Sequence, residues 1–111
     1  MPRDYKVSLE DILGAIRKIR SYTQGVTLQT FKQDSKTFDA VVRNLEIVGE
    51  AAKSLPDTVR LGHPEIDWNR IAGLRDILIH EYFGVDAEII WDVVENKLRA
   101  LEEVVQKILK E

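Results

Sequence analysis

Apolar residues recur at the spacing of an α-helix along residues 35–55, and this periodicity constrains the fold more than any other feature of the sequence. At about 100° per residue the apolar side chains form one stripe along a helix. The stripe consists of Phe38, Val41, Val42, Leu45, Val48, Ala52 and Leu55. Pro56 follows it directly and ends the helix, because proline lacks an amide N–H. The segment therefore predicts an amphipathic helix with one buried face.

Three further segments begin with a good N-cap residue and continue with helical periodicity. Ser8, Asp67 and Asp86 each precede such a segment, and the predicted helices extend to about residue 22, residue 83 and the C-terminus, respectively. Gly84 stands where a helix often ends in a left-handed residue. Together with the helix over residues 35–55, they predict an all-α fold, an antiparallel four-helix bundle.

The connections between these helices differ in character. Residues 23–34 show no clear periodicity and are interpreted as a connection in which Val26, Leu28 and Phe31 pack against the bundle. Residues 56–67 contain two prolines and a glycine, which predicts a loop with a short extra helical turn. No strand-like alternation competes with this interpretation.

Composition limits the class of protein. With 111 residues, 44% of them hydrophobic and 32% charged, the chain fits a single domain, residues 1–111, with a modest core. The absence of cysteine excludes disulfides and thiolate metal sites, so the cytoplasm is the expected compartment. No apolar run approaches the roughly 18 residues that a membrane span requires. A net charge of −3 does not suit a protein that coats nucleic acid, so any contact with RNA should be local.

Nothing in the sequence indicates a cofactor or a metal. There is no glycine-rich phosphate loop. His63 lies in a Gly-His-Pro-Glu segment without a second histidine nearby, so a loop contact is a better interpretation than a metal ligand. Trp68 and Trp91 are interpreted as core or interface anchors.

Arg75 is the residue that looks out of place. It falls in the middle of the apolar face of the third predicted helix, the face formed by Trp68, Ile71, Ala72, Leu78 and Ile79. A guanidinium there must pair with an acid, reach a wet cleft or meet an anionic ligand. Spacing alone does not choose among these. A structural ion pair with Glu46 or Glu50 is the common outcome in small bundles.

Three residues near Arg75 can share its surroundings. Tyr82 lies about two helical turns further on the same stripe, whereas His80 points about 140° away unless the helix tightens at its end. Asp76 precedes His80 by four residues and can accept a hydrogen bond from the imidazole, which would raise the histidine pKa. Taken singly, a histidine at a helix end is more often a capping group, and Tyr82 an amphipathic residue at the core edge.

Read as a string, residues 75–82 are R-D-I-L-I-H-E-Y, which resembles the R-x-x-x-x-H-x-Y motif of the HEPN superfamily in its HepT toxin branch. The segment RNLEIVGEA at residues 43–51 and W-x-x-I-A-G-L-R-D at residues 68–76 are similar to the helix-loop-helix pattern of that family. The resemblance covers essentially the whole chain. It implies a HEPN-like helical bundle and a metal-independent ribonuclease that acts as a toxin.

The resemblance also assigns roles and partners. His80 would be the acid-base group and Arg75 would bind the scissile phosphate. The support of His80 by Asp76 is inferred from their four-residue spacing. The implied partner is a small MntA-type nucleotidyltransferase antitoxin that transfers AMP to the motif tyrosine, here Tyr82. RNA carries its own nucleophile in the 2′-hydroxyl, so this pair of side chains can suffice without a metal.

Members of that family form dimers in which two motifs face a shared groove, so a homodimer is expected. Ile47, Ala51 and Ile77 lie off the main core stripes and offer apolar area for a second copy, unless the bundle covers them internally. The alternative function is a non-catalytic helical binding module that docks a nucleotidyltransferase or binds nucleotide.

Overall fold

The computed structural model describes residues 4–80 and 86–111, apart from the side chains of Ile79 and His80, and throughout this part the chain is helical with no strand. In chain order the helices are α1 (Tyr5–Thr23), α2 (Leu28–Gln33), α3 (Ser35–Lys53), α4 (Asp57–Leu61), α5 (Trp68–His80), α6 (Ala87–Asp92) and α7 (Leu98–Lys110). The predicted all-α fold is confirmed.

Helix α1 begins earlier than the sequence analysis predicted. Asp4 is its N-cap, and its carboxylate accepts a hydrogen bond of 3.0 Å from the amide of Lys6. Ser8, the predicted cap, instead lies inside the helix on its buried face. There its hydroxyl lies 2.8 Å from the hydroxyl of Ser54, the residue that follows α3. The cap assignment to Ser8 was therefore wrong.

Helix α2 occupies the segment that was interpreted as a connection. Thr27 and Thr30 form a reciprocal capping box, in which the hydroxyl of each accepts a hydrogen bond from the backbone amide of the other. Phe31 is fully buried, and its ring centroid lies 5.0 Å from that of Trp91. The prediction that Phe31 packs against the bundle is confirmed. A six-residue helix is too short to reveal itself by periodicity.

Helix α3 lies at the centre of the bundle and packs against α1 and α5. The contact between Ser8 and Ser54 joins the start of α1 to the end of α3, so these two helices run antiparallel. Helix α1 also packs against α7, where Arg20 forms an ion pair with Glu102. The loop after α3 contains the short helix α4, which confirms the predicted helical turn.

The C-terminal helix is interrupted by one wide turn. Residues Val93–Lys97 form a π-helical turn between α6 and α7. Asp86 caps α6, and Asp67 accepts a hydrogen bond of 3.2 Å from the amide of Arg70 at the start of α5. Both predicted caps are confirmed, whereas the predicted end of the third helix near Gly84 lies outside the described residues. None of the described helices is long and apolar enough to cross a membrane.

Candidate functional site

The site lies where α3 and α5 pack closely against each other. Gly49 of α3 lies directly against Arg75 of α5: a Cβ added at Gly49 would stand 2.9 Å from the backbone nitrogen of Arg75 and 3.1 Å from the carbonyl oxygen of Ile71. Any larger side chain would force the two helices apart. A glycine in mid-helix thus sets the distance between the two backbones at the motif arginine.

Arg75 reaches out of the apolar face on which it sits. Trp68 and Leu78 of the same face are buried, but the side chain of Arg75 is 39% exposed. Its Nε lies 2.7 Å from Oε2 of Glu50 on α3, and its Nη1 donates a hydrogen bond of 3.2 Å to Oδ1 of Asp76. Of the alternatives left open by the sequence, Arg75 therefore both pairs with acids and reaches a cleft.

The predicted choice between Glu46 and Glu50 is resolved by geometry. Glu50 pairs with Arg75, whereas Glu46 lies 3.4 Å from Nη1 of Arg43, one turn earlier on α3. These residues, with Asp11 of α1, line a cleft of about 330 Å³ at whose wall Arg75 lies. The cleft is open to solvent, and charged side chains line it together with the apolar Ile47 and Ala51 of α3. It is a place where an anionic group can meet the arginine.

Arg43 and Asp11 were not predicted as site residues from the sequence, and neither was the role of Gly49. Positions 43, 46, 47 and 50 follow helical spacing and share one face of α3. That spacing was a usable signal for Arg43. No comparable signal exists for Asp11, because its place in the cleft depends on how α1 packs against α3.

The other predicted site residues are Asp76, His80 and Tyr82. Asp76 is exposed, and its Oδ1 accepts a hydrogen bond from Nη1 of Arg75. His80 is the last residue of α5, five positions beyond Arg75, and its side chain is outside the described part of the chain. Tyr82 also lies outside the described residues. The proposed contact between Asp76 and His80 therefore stays a prediction.

The residues predicted to offer a surface for a second copy do not form one patch. Ala51 is only 4% exposed, and Ile47 lines the cleft beside Arg75. Ile77 is 53% exposed and lines a different, mostly apolar groove between α5 and the C-terminal helix, together with the 64% exposed Ile89. Of the two outcomes that the sequence left open for these residues, burial within the bundle holds for Ala51.

His63 lies outside the cleft that contains Arg75, in a separate pocket with Tyr5 of α1 and Ile108 of α7. Its side chain is buried, with Nδ1 3.9 Å from Oε1 of Glu65 and Nε2 3.5 Å from Oε1 of Glu111. Its carbonyl oxygen accepts a hydrogen bond of 2.9 Å from the indole of Trp68. Among the side chains that the structure places, no group of three histidine, aspartate or glutamate residues is arranged to hold a metal ion.

Comparison with known proteins gives consistent results. A model of the family described as "Ribonuclease HepT-like" matches residues 12–108. The chain is 43% identical over 110 residues to the "Probable ribonuclease HepT" of Thermococcus cleftensis, covering 99% of this chain and 100% of that protein. It is 42% identical over 113 residues to a protein of Methanocaldococcus jannaschii named as a candidate RNase, covering 97% and 93% of the two chains.

A third relative, also named as a candidate RNase, comes from Caldanaerobacter subterraneus. The identity is 42% over 109 residues, covering 98% of this chain and 95% of that protein. No solved structure matches the chain.

Proposed function

The chain belongs to the ribonuclease HepT-like family, and from this premise we propose that it is the toxin of a toxin–antitoxin pair, a metal-independent endoribonuclease that cleaves RNA with Arg75 and His80. The observation that carries the proposal is the position of Arg75. Its guanidinium is partly exposed at the wall of an open cleft instead of being sealed in the core. An RNA phosphate can therefore reach it.

The proposed reaction is an internal transesterification. The 2′-hydroxyl oxygen attacks the adjacent phosphorus, the P–O5′ bond breaks, and the products end in a 2′,3′-cyclic phosphate and a 5′-hydroxyl. His80 takes the proton from the 2′-hydroxyl or returns one to the departing O5′. Arg75 stabilises the negative charge that builds up on the phosphoryl oxygens, a task for which its planar set of donors is suited.

Two proton transfers are required, and each chain supplies one copy of the motif. A homodimer would bring two copies of Arg75 and His80 to one RNA, and we place the second copy on the apolar groove that contains Ile77 and Ile89. Two large, strongly exposed isoleucines at the edge of an apolar groove favour burial against protein. Sedimentation of the wild type and of Ile77→Glu tests this: the proposal requires a dimer that the substitution weakens.

The antitoxin in this proposal is a small nucleotidyltransferase that silences the toxin by transferring AMP from ATP to the hydroxyl of Tyr82, with release of pyrophosphate. The modification would bring a phosphate and a nucleoside to a residue seven positions beyond Arg75 and would compete with RNA for the same cation. Mass spectrometry of the chain after incubation with ATP and its cognate transferase should show the added AMP on the peptide that contains Tyr82. Modification of another residue, or of none, would remove this part of the proposal.

The proposed reaction is tested with RNA substrates that lack single 2′-hydroxyl groups. Purified protein in the presence of a chelator is incubated with a short RNA and with the same RNA carrying single 2′-deoxy substitutions. We expect cleavage that stops at each substituted position and products that carry cyclic phosphates. Cleavage that requires a divalent cation, or that proceeds at 2′-deoxy positions, contradicts the mechanism. Binding without any cleavage would instead favour the non-catalytic binding module.

A further inference from the structure

We infer that Glu50 is a positioning residue that sets the orientation of Arg75 for the scissile phosphate. The inference rests on the proposed function, in which Arg75 contacts that phosphate. Glu50 itself lies on a different helix and acts through the arginine. Its role is to hold the inner side of the guanidinium so that the outer edge faces the cleft.

The two contacts of Arg75 differ in which nitrogen they use. Glu50 lies at Nε, the nitrogen nearest the side-chain stem, while Asp76 accepts from Nη1. A phosphate bound by two parallel N–H groups needs two neighbouring nitrogens on one edge of the guanidinium. With Nε taken by Glu50, the Nη1–Nη2 edge is the one suited to a bidentate phosphate contact. When RNA binds, Asp76 must release Nη1 of Arg75 or share it with the phosphate.

The ion pair between Glu50 and Arg75 adds little to the stability of the fold. The side chains of Glu50 and Arg75 are 63% and 39% exposed, and ion pairs that are exposed to solvent contribute little to stability. Yet Gly49, the residue before Glu50, brings the two helix backbones into contact at this point. Since the close approach places Glu50 within reach of Nε, orientation of the arginine accounts for the arrangement better than stability does.

The charges of the cleft predict that removal of Glu50 has opposite effects on RNA affinity and on the cleavage rate. Three carboxylates, those of Asp11, Glu46 and Glu50, line the cleft with Arg43 and Arg75. A carboxylate beside an anion site weakens binding of the RNA ground state by repulsion. Removing Glu50 should therefore tighten RNA binding slightly while slowing cleavage, because the arginine is no longer aimed at the reacting phosphate. Removal of a residue with only a structural role would not raise RNA affinity while it lowers the cleavage rate.

The test compares Glu50→Ala, Glu50→Gln and a control, Glu88→Ala, in cleavage of one RNA. Glu88 makes a similarly exposed inter-helix ion pair with Lys32, between α6 and α2. We expect Glu50→Ala to lower kcat about 10-fold, with KM unchanged or lower. Glu50→Gln, which keeps an oxygen within reach of Nε, should recover most of the loss, and Glu88→Ala should match the wild type. A kcat for Glu50→Ala within twofold of wild type, or no recovery in Glu50→Gln, overturns the inference.

A second measurement separates this inference from the proposed function. The Nε–H group of Arg75, assigned by its loss in Arg75→Lys, is followed by 15N NMR relaxation in the free protein. If Glu50 positions the arginine, this group is ordered in wild type and Glu50→Gln and mobile in Glu50→Ala. Equal order in all three overturns the inference even if RNA is cleaved. Absence of cleavage by the wild type overturns the proposed function while the NMR result still decides whether Glu50 orients Arg75.

Discussion

Gly49 and Arg75 are in backbone contact across the interface of α3 and α5, close enough that a methyl group on Gly49 would stand 2.9 Å from the nitrogen of Arg75. The glycine therefore serves the site rather than the helix, since glycine in a helix interior is otherwise unfavourable. The contact places the motif arginine against the segment that supplies its counter-ion, Glu50.

Replacement of Gly49 by alanine should destabilise the protein by about 1–3 kcal/mol, because the clash is with backbone atoms that cannot rotate away. Gly14 of α1 provides the matched control: a Cβ there meets nothing within 4 Å, so Gly14→Ala should stabilise by about 0.5–1 kcal/mol. Urea unfolding of both variants measures the two changes. Equal signs would show that the close approach at Gly49 does not exist.

Removal of the Arg75 side chain should change stability little. Its ion pair with Glu50 is well exposed, so Arg75→Ala should alter the free energy of unfolding by no more than about 1 kcal/mol. RNA cleavage by the same variant should fall below detection if Arg75 binds the scissile phosphate. A loss of several kcal/mol with the activity retained would instead make Arg75 a structural residue.

Trp68 anchors the loop that precedes α5 through a buried hydrogen bond. Its indole Nε1 donates to the carbonyl oxygen of His63 at 2.9 Å, and the side chain is 5% exposed. Trp68→Phe keeps an aromatic ring but leaves that carbonyl without this donor, so we expect a loss of about 1–3 kcal/mol in the free energy of unfolding. Replacing the exposed aromatic Tyr22 by phenylalanine is the control and should be nearly neutral. Equal stability of the two variants would argue against the hydrogen bond.

The stabilisation that the N-cap residue Asp34 gives to α3 should depend on pH. The hydroxyl and then the amide of Thr37 donate to the carboxylate of Asp34, at 2.6 and 3.1 Å, and hold its pKa below the ordinary value. A depressed folded-state pKa means that the stabilisation is present above the unfolded pKa of about 3.9 and is lost as pH falls through the lower folded value. The stability difference between the wild type and Asp34→Ala should therefore shrink in acid below about pH 4. A difference that stays constant from neutral pH to pH 2 contradicts this account.

Much of the fold could be predicted because it depends on local patterns. The apolar stripe from Phe38 to Leu55 located α3, and the caps Asp67 and Asp86 located two other helix starts. Helix α2 escaped detection because its six residues are stabilised by a capping box and one buried phenylalanine rather than by a periodic face. The start of α1 was misplaced because Asp4 and Ser8 are both good caps, and only tertiary packing buries Ser8 against Ser54.

The site was predictable in part for the same reason. Arg75 stood out as a charge on an apolar face, and Glu50 was one of two candidate partners. Glu46 pairs with Arg43 three residues earlier on the same helix, which spacing permits, whereas the contact of Glu50 with Arg75 depends on how closely α3 and α5 approach at Gly49. Sequence spacing along one helix carries no information about such a distance.

Single-turnover cleavage of RNA, in chelator, by the wild type and by His80→Ala tests whether the motif histidine takes part in the reaction. A general acid-base group contributes about 10²–10⁴-fold, so we expect metal-independent cleavage by the wild type and a loss of at least about 100-fold in the variant, with RNA binding retained. Thermal unfolding of both proteins checks that the variant is folded. Cleavage by His80→Ala at the rate of the wild type would contradict the claim that this motif performs the reaction.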